Sequence, residues 1–274
     1  MAAQFEIRCS HPDEKYARQA ANFAFRVVDR LEQNLSCFIE NSDISRINHL
    51  SAGEHTVVGY ETMQCLQLAR FMCGETGGAF DVSLGSESES LELVSGEFLI
   101  YAHANGVRLD MGAIGKGYAL DRVAEVLEDW EIEQALLHAG YSTALALEPP
   151  SGCQDWPLTM RVPGKANSTV LATIAARQRA LSASGIQKTN HILDPRTLKP
   201  VSSRQAAWIS APRQVLTDIG RTANVESSPA AVADALSTAF MIMLPEEIEQ
   251  YCCRHPGLEA WILQPHLTHF VNQS

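Results

Sequence analysis

A chain of 274 residues with 46% hydrophobic and 19% charged side chains has the length and composition of an ordinary folded globular protein. Lys and Arg number 21 against 32 Asp and Glu, a formal charge of -11, and no basic stripe offsets it, which excludes a nucleic-acid partner held by counterion release. No apolar run approaches the roughly 20 residues of a membrane helix, and seven cysteines, an odd number with Cys252 and Cys253 adjacent, speak against a disulfide framework and for a reducing, cytoplasmic setting.

The N-terminal stretch MAAQFEIRCSHPDEK has no basic region followed by an apolar core, so it does not read as a signal peptide, although a leader removed beforehand would leave the same sequence. Phe5 to Cys9 alternates as a strand. Pro12 to Leu35 carries Tyr16, Ala20, Phe23, Val27, Leu31 and Leu35 at helical spacing, which predicts an amphipathic helix with that stripe inward. A second helix is expected over Glu61 to Cys73, stopped by Gly74, Gly77 and Gly78.

SLGSESESLELVSG, residues 83 to 96, reads as a solvated acidic loop. Short strand candidates follow at Phe98–Ala102, Val107–Asp110, Ala135–His138, Thr143–Leu147, Leu158–Val162, Val170–Ala175, Ala207–Ala211 and Ala260–Leu263. Few long helices separate them, so the expected class is α+β, mainly antiparallel sheet with packed helices, in one domain over residues 1–274. A late helix has Ser228 as its N-cap and Pro229 in its first position, and is expected to run on to Pro245.

The chemistry concentrates in a few stretches. In RLDMGAIGKGYALD a glycine-rich turn enters a helix with Ala119, Val123, Val126 and Trp130 on its packing face, and its first turn is expected to face outward. Free N–H groups at a helix start, glycines that permit close approach, and the Lys116 ammonium make a phosphate cradle; the spacing matches neither GxGxxG nor the P-loop, and Lys116 in solvent is the plain alternative. Asp234 and Thr238, four apart in an apolar helix, share one face. They offer hard oxygen ligands for Mg2+, or else Thr238 bonds back to its own helix while Asp234 meets a lysine or arginine.

His191, just before an Asp-Pro turn in HILDPRT, is a candidate general base. TGGAFD and ALSASG are small-residue turns able to admit a flat or phosphorylated ligand, or to close plain loops. No CxxC pair supports a zinc site and no GxSxG supports a serine hydrolase.

Taken in order, SCFIENSDISRIN, TGGAFDVS, LDMGAIGKGYALD, ALSASG, HILDPRTLKPV and ADALSTAFMI resemble the FAD:protein FMN transferases, the ApbE family. The resemblance implies a T-fold-like α+β architecture and Mg2+-dependent transfer of FMN from FAD to a Thr or Ser of an acceptor protein, with release of AMP. It further implies that Gly115, through its carbonyl, Asp234 and Thr238 hold the metal; that Ala79, Phe80, Asp81, Gly112, Lys116, Tyr118 and Ile192 contact FAD; and that His191 activates the acceptor hydroxyl. The chain departs from the family pattern at HAGYS, residues 138 to 142, where GG followed by Asp or Asn is usual, and between the AFD and LDMG blocks, where a longer insertion is usual. FAD hydrolysis to FMN and AMP, and non-catalytic flavin-nucleotide binding, are the rival functions.

Overall fold

The computed structural model describes residues 3–83, 90–163, 169–186, 192–201, 204–213 and 228–272. In chain order its elements are β1 (Phe5–Cys9), α1 (Glu14–Leu35), α2 (Asp43–Asn48), β2 (His55–Val57), α3 (Tyr60–Glu75), β3 (Leu91–Val94) and β4 (Leu99–Ala102). A short 3-10 turn, Met111–Ala113, leads into α4 (Gly115–Asp129), then β5 (Ala135–Ala139), β6 (Thr143–Ala146), β7 (Trp156–Arg161), β8 (Val170–Ala176) and β9 (Arg179–Gly185). The chain continues through β10 (Leu193–Asp194), β11 (Lys199–Pro200), β12 (Ala206–Pro212), α5 (Pro229–Ala239), α6 (Pro245–Arg254), β13 (Glu259–Gln264) and β14 (His266–Val271).

The main sheet has the order β1-β5-β6-β9-β12-β13-β14, every neighbouring pair antiparallel. Its side chains obey the strand period of two. Leu137, Leu145, Ala180, Ala207, Ile209 and Ile262 face the helical layer and join the larger core. Leu136, Ala144, Ala146, Leu181, Trp208 and Trp261 face the other way, under the β7–β8 hairpin with Leu158 and Met160. Burial on both faces explains why these strands read as short apolar runs.

Helix α1 begins at Asp13, whose carboxylate accepts the Tyr16 N–H at 3.0 Å. Its buried face is Ala17, Ala20, Ala24, Val27, Val28, Leu31 and Leu35. Tyr16 and Phe23, expected in the stripe, are displaced to the flank, their rings 5.1 Å and 6.3 Å from that of Trp130. Three alanines let α1 approach α4 closely, and a ring on that face would hold them apart.

Three other expectations are corrected. The reading of 83–96 as a loop misses β3, where Leu91 and Leu93 alternate inward and pair with β4; residues 84–89 lie outside the described set. Val107–Asp110 forms no ladder, because Leu109 is bonded instead to the Asn48 side chain, giving its N–H at 2.7 Å and its carbonyl at 3.0 Å, while the Asp110 N–H goes to the Val82 carbonyl at 2.8 Å. The late helix stops at Ala239, well before Pro245, and Pro245 opens α6.

Helices α4 and α5 cap one another. Ser228 is the N-cap residue of α5 but makes no capping bond; the Asp121 carboxylate of α4 accepts the Ala230 and Ala231 N–H groups at 3.0 Å and 2.8 Å. In return, Asp234 of α5 accepts the Gly117 N–H of α4 at 3.1 Å. The first turn of α4 is thus packed inward, not outward as expected, with Gly117 and Tyr118 buried.

Burial pushes the Asp121 carboxyl up from its ordinary 3.8 to about 7, against the two N–H donors and the charges of Arg122 and Arg213 that pull it down. A raised carboxyl contributes stability that is complete below the unfolded value and lost as pH rises through about 7. Urea denaturation of wild type and Asp121→Asn at pH 4, 6 and 8 is expected to lose that downward slope in the variant. Asp121→Ala, which orphans both buried N–H groups, is expected to cost about 1–3 kcal/mol per group.

Candidate functional site

Asp234 is the centre toward which the motifs converge. Its side chain is 3% exposed. Oδ2 accepts from Lys116 Nζ at 3.2 Å and from the Gly117 N–H at 3.1 Å. Oδ1 accepts from Ser182 Oγ at 3.1 Å and Thr143 Oγ1 at 3.3 Å. Lys116 Nζ also donates to the Gly112 carbonyl at 3.1 Å. The ammonium is therefore not in solvent; its side chain is 21% exposed.

ALSASG, read as a turn, is strand β9, and this places the hydroxyls. Alternation sends Leu181 and Ala183 to the hairpin side and Ala180, Ser182 and Ser184 to α5. Ser182 stands directly across from Thr143 of β6, and the two hydroxyls lie 3.1 Å apart. Ser184 Oγ meets Ser237 Oγ at 2.8 Å and Thr238 Oγ1 at 3.1 Å, and Ser237 bonds back to the Asp234 carbonyl at 2.8 Å. Thr238 thus faces β9, although four-residue spacing alone allowed it to bond its own helix. Thr143, Ser182, Ser184 and Ser237 were missed as site residues; the period-two pattern of ALSASG was the available signal.

The other blocks meet the same turn. Asp110 accepts the Gly112 N–H at 2.8 Å, and Gly112 is exposed. Asn48, from the SDISRIN block, holds the Leu109 backbone from the other side. In TGGAFD, Thr76 Oγ1 accepts the Phe80 N–H at 3.0 Å, while Asp81 accepts from Ser83 N–H and Oγ at 2.8 Å and 2.7 Å. Gly77 and Gly78 have φ of +57° and +75°, backbone that glycine adopts freely. The Arg196 stem lies over Gly78, which joins the DPRT segment to this turn. Ile192 is buried; His191 lies outside the described residues.

Not every expected contact residue presents a side chain. Ala79, Phe80 and Tyr118 are 0%, 1% and 0% exposed over the whole residue, and their N–H groups are bonded to the Thr76 carbonyl, Thr76 Oγ1 and the Ile114 carbonyl. Tyr118 is a core residue: Oη donates to Gln64 Oε1 at 3.1 Å, and the Arg122 guanidinium lies 5.0 Å from the ring centre. Gly115, also buried, starts α4 beside Lys116. Among the described residues no three His, Cys, Asp or Glu side chains gather as a metal cluster. The donor set around Asp234 is of another kind, carboxylate, hydroxyl and carbonyl, and it fits a hard divalent cation, with a positive group already placed at Oδ2.

All seven cysteines are unpaired, and no helix among the described residues is long and apolar enough to cross a membrane. Similar proteins include the FAD:protein FMN transferase of Klebsiella pneumoniae, 23% identical over 67% of this chain and 67% of the relative, and that of Vibrio cholerae, 21% identical over 80% and 71%. Among solved structures, the flavin transferase ApbE from Vibrio cholerae superposes with a TM-score of 0.82 at 18% identity, covering 100% of this chain and 95% of that one. The ApbE protein from Thermotoga maritima gives 0.76 at 22% identity, covering 99% and 96%. These likenesses establish the shared fold, and the ApbE family model itself matches residues 1–262; the chain belongs to the ApbE family.

Proposed function

We propose that this protein transfers FMN from FAD to a Thr or Ser hydroxyl of an acceptor protein and releases AMP. The observation that carries the reading is the buried Asp234 carboxylate, held by Thr143 and Ser182 at Oδ1 and turned through Oδ2 toward Lys116 and the start of α4. Asp234, Thr238 and the Gly115 carbonyl would hold Mg2+, which when bound neutralises charge building on the pyrophosphate. Lys116 and the N–H groups of the glycine-rich turn bind phosphate oxygens. Gly112 and Asp81, with the segments that carry Ala79, Phe80, Tyr118 and Ile192, border the rest of FAD.

His191 takes the proton from the acceptor hydroxyl. The hydroxyl oxygen bonds to the FMN phosphorus, the bond from that phosphorus to the bridging oxygen breaks, and AMP leaves with that oxygen. The test is flavin fluorescence in a denaturing gel after incubation with FAD, Mg2+ and the unflavinylated form of a protein that accepts FMN on a Thr or Ser hydroxyl. A covalently fluorescent acceptor band is expected, and its absence despite FAD binding would contradict transfer. His191→Ala is expected to slow labelling about a hundredfold or more while FAD affinity stays within a fewfold, because a base acts on the reaction and adds little to ground-state binding; parallel loss of both would make His191 a ligand contact.

Non-catalytic flavin-nucleotide binding draws on one specific observation, that protein donors already occupy both Asp234 oxygens twice over. Retained Mg2+-dependent FAD turnover separates the two readings.

A further inference from the structure

A carboxylate offers about four acceptor positions, and at Asp234 four donors fill them. Three of those donors are fixed. The Gly117 N–H belongs to the first turn of α4, pressed so closely on α5 that a Cβ at Gly117 would lie 2.1 Å from the Ala230 carbonyl oxygen. Thr143 and Ser182, 2% and 0% exposed, sit on adjacent strands and lie within 3.1 Å of each other. The fourth, Lys116, reaches Oδ2 on a flexible side chain and is partly exposed.

A cation arriving at Oδ2 has one donor that it can displace, and that donor is also the one it must displace. Two positive charges on one buried oxygen repel strongly where water is scarce. Removing Lys116 without giving the ammonium a new partner is costly in turn, since it would leave a partly buried charge uncompensated. A pyrophosphate beside the start of α4 supplies that partner.

We propose that Lys116 is a resident counter-ion of Asp234 that is exchanged for Mg2+ when FAD binds. In the ligand-free protein the ammonium holds the carboxylate; when metal and nucleotide arrive together, Mg2+ takes Oδ2 and the ammonium moves to a pyrophosphate oxygen. The exchange rests on the Mg2+ and FAD reading given above. Its consequence is coupling: each ligand relieves the cost that the other meets alone, so each binds more tightly in the presence of the other.

The experiment is calorimetric titration of MgCl2 into the whole protein without acceptor, for wild type, Lys116→Met and Lys116→Gln, with and without FAD. Without FAD, the variants are expected to bind Mg2+ about tenfold or more tighter than wild type. FAD is expected to tighten Mg2+ binding by wild type and to lose that effect in the variants. Melting curves in EDTA and in MgCl2 run alongside; the variants should melt lower than wild type in EDTA and recover with Mg2+. Equal or weaker Mg2+ binding by the folded variants overturns the exchange, as does wild-type Mg2+ affinity indifferent to FAD in a protein that binds FAD. If wild type binds no FAD, the flavin reading falls by itself, while the FAD-free comparison of Mg2+ affinities still decides whether Lys116 guards Asp234.

Discussion

Asp234→Asn is expected to abolish Mg2+-dependent FAD turnover, a fall of about a thousandfold or more, and to leave a folded protein. The substitution keeps the shape of the side chain and one carbonyl oxygen, but it removes the charge that Lys116 neutralises at 3.2 Å. It also replaces one acceptor by an NH2 group that cannot receive the Gly117, Thr143 or Ser182 donors. Some stability is therefore lost, about 1–3 kcal/mol for a buried donor left without an acceptor. Asp234→Ala would orphan all four donors together and confuse loss of metal with loss of fold. AMP release measured by chromatography, next to a melting curve, separates the two effects. Turnover at the wild-type rate in the asparagine variant would remove Asp234 from the mechanism.

Gly117→Ala is expected to carry the largest cost in stability. The added Cβ would stand 2.1 Å from the Ala230 oxygen, 2.4 Å from its carbonyl carbon and 2.6 Å from the Ala231 nitrogen. Those are backbone atoms of a helix packed on strands β9 and β12, so no side chain can swing aside. The helices must part. Parting them stretches the bond from Gly117 to Asp234 and the two bonds from α5 to Asp121 at once. A loss of about 3 kcal/mol or more in urea denaturation follows, at or above the usual cost of overpacking. Gly74, in the last turn of α3, is the control, because a Cβ there meets nothing within 4 Å. Gly74→Ala should be neutral or stabilising by about 0.5–1 kcal/mol. Equal behaviour of the two alanine variants would contradict the close helix crossing.

These two substitutions mark what the linear chain discloses and what it conceals. Strand and helix positions were largely legible, since the inner strands of the main sheet, β5, β6, β9, β12 and β13, are mostly buried and appear as short apolar runs. The α+β class followed from their number and spacing. The glycines near 115 also signalled a close approach, but not its object: Gly117 lies against the α5 backbone, and Lys116 beside it faces a carboxylate 118 positions away. Asp234 and Lys116 were each recognisable as chemistry-bearing; their ion pair was visible only as one of several alternatives. The hydroxyls of Thr143 and Ser182 were overlooked because each strand is unremarkable alone and the pair exists only through the β6–β9 register. The same holds for Asn48 and Leu109, where a side chain takes the place of a strand partner.

The central claim is that the surroundings of Asp234 form a working Mg2+ and FAD site. Calorimetric titration of the protein with FAD, with and without Mg2+, followed by addition of an unflavinylated acceptor protein and assay for AMP, is the measurement that bears on it. FAD binding is expected to tighten when Mg2+ is present, and AMP release to require both the metal and the acceptor. FAD binding indifferent to Mg2+, or no binding under either condition, would contradict it.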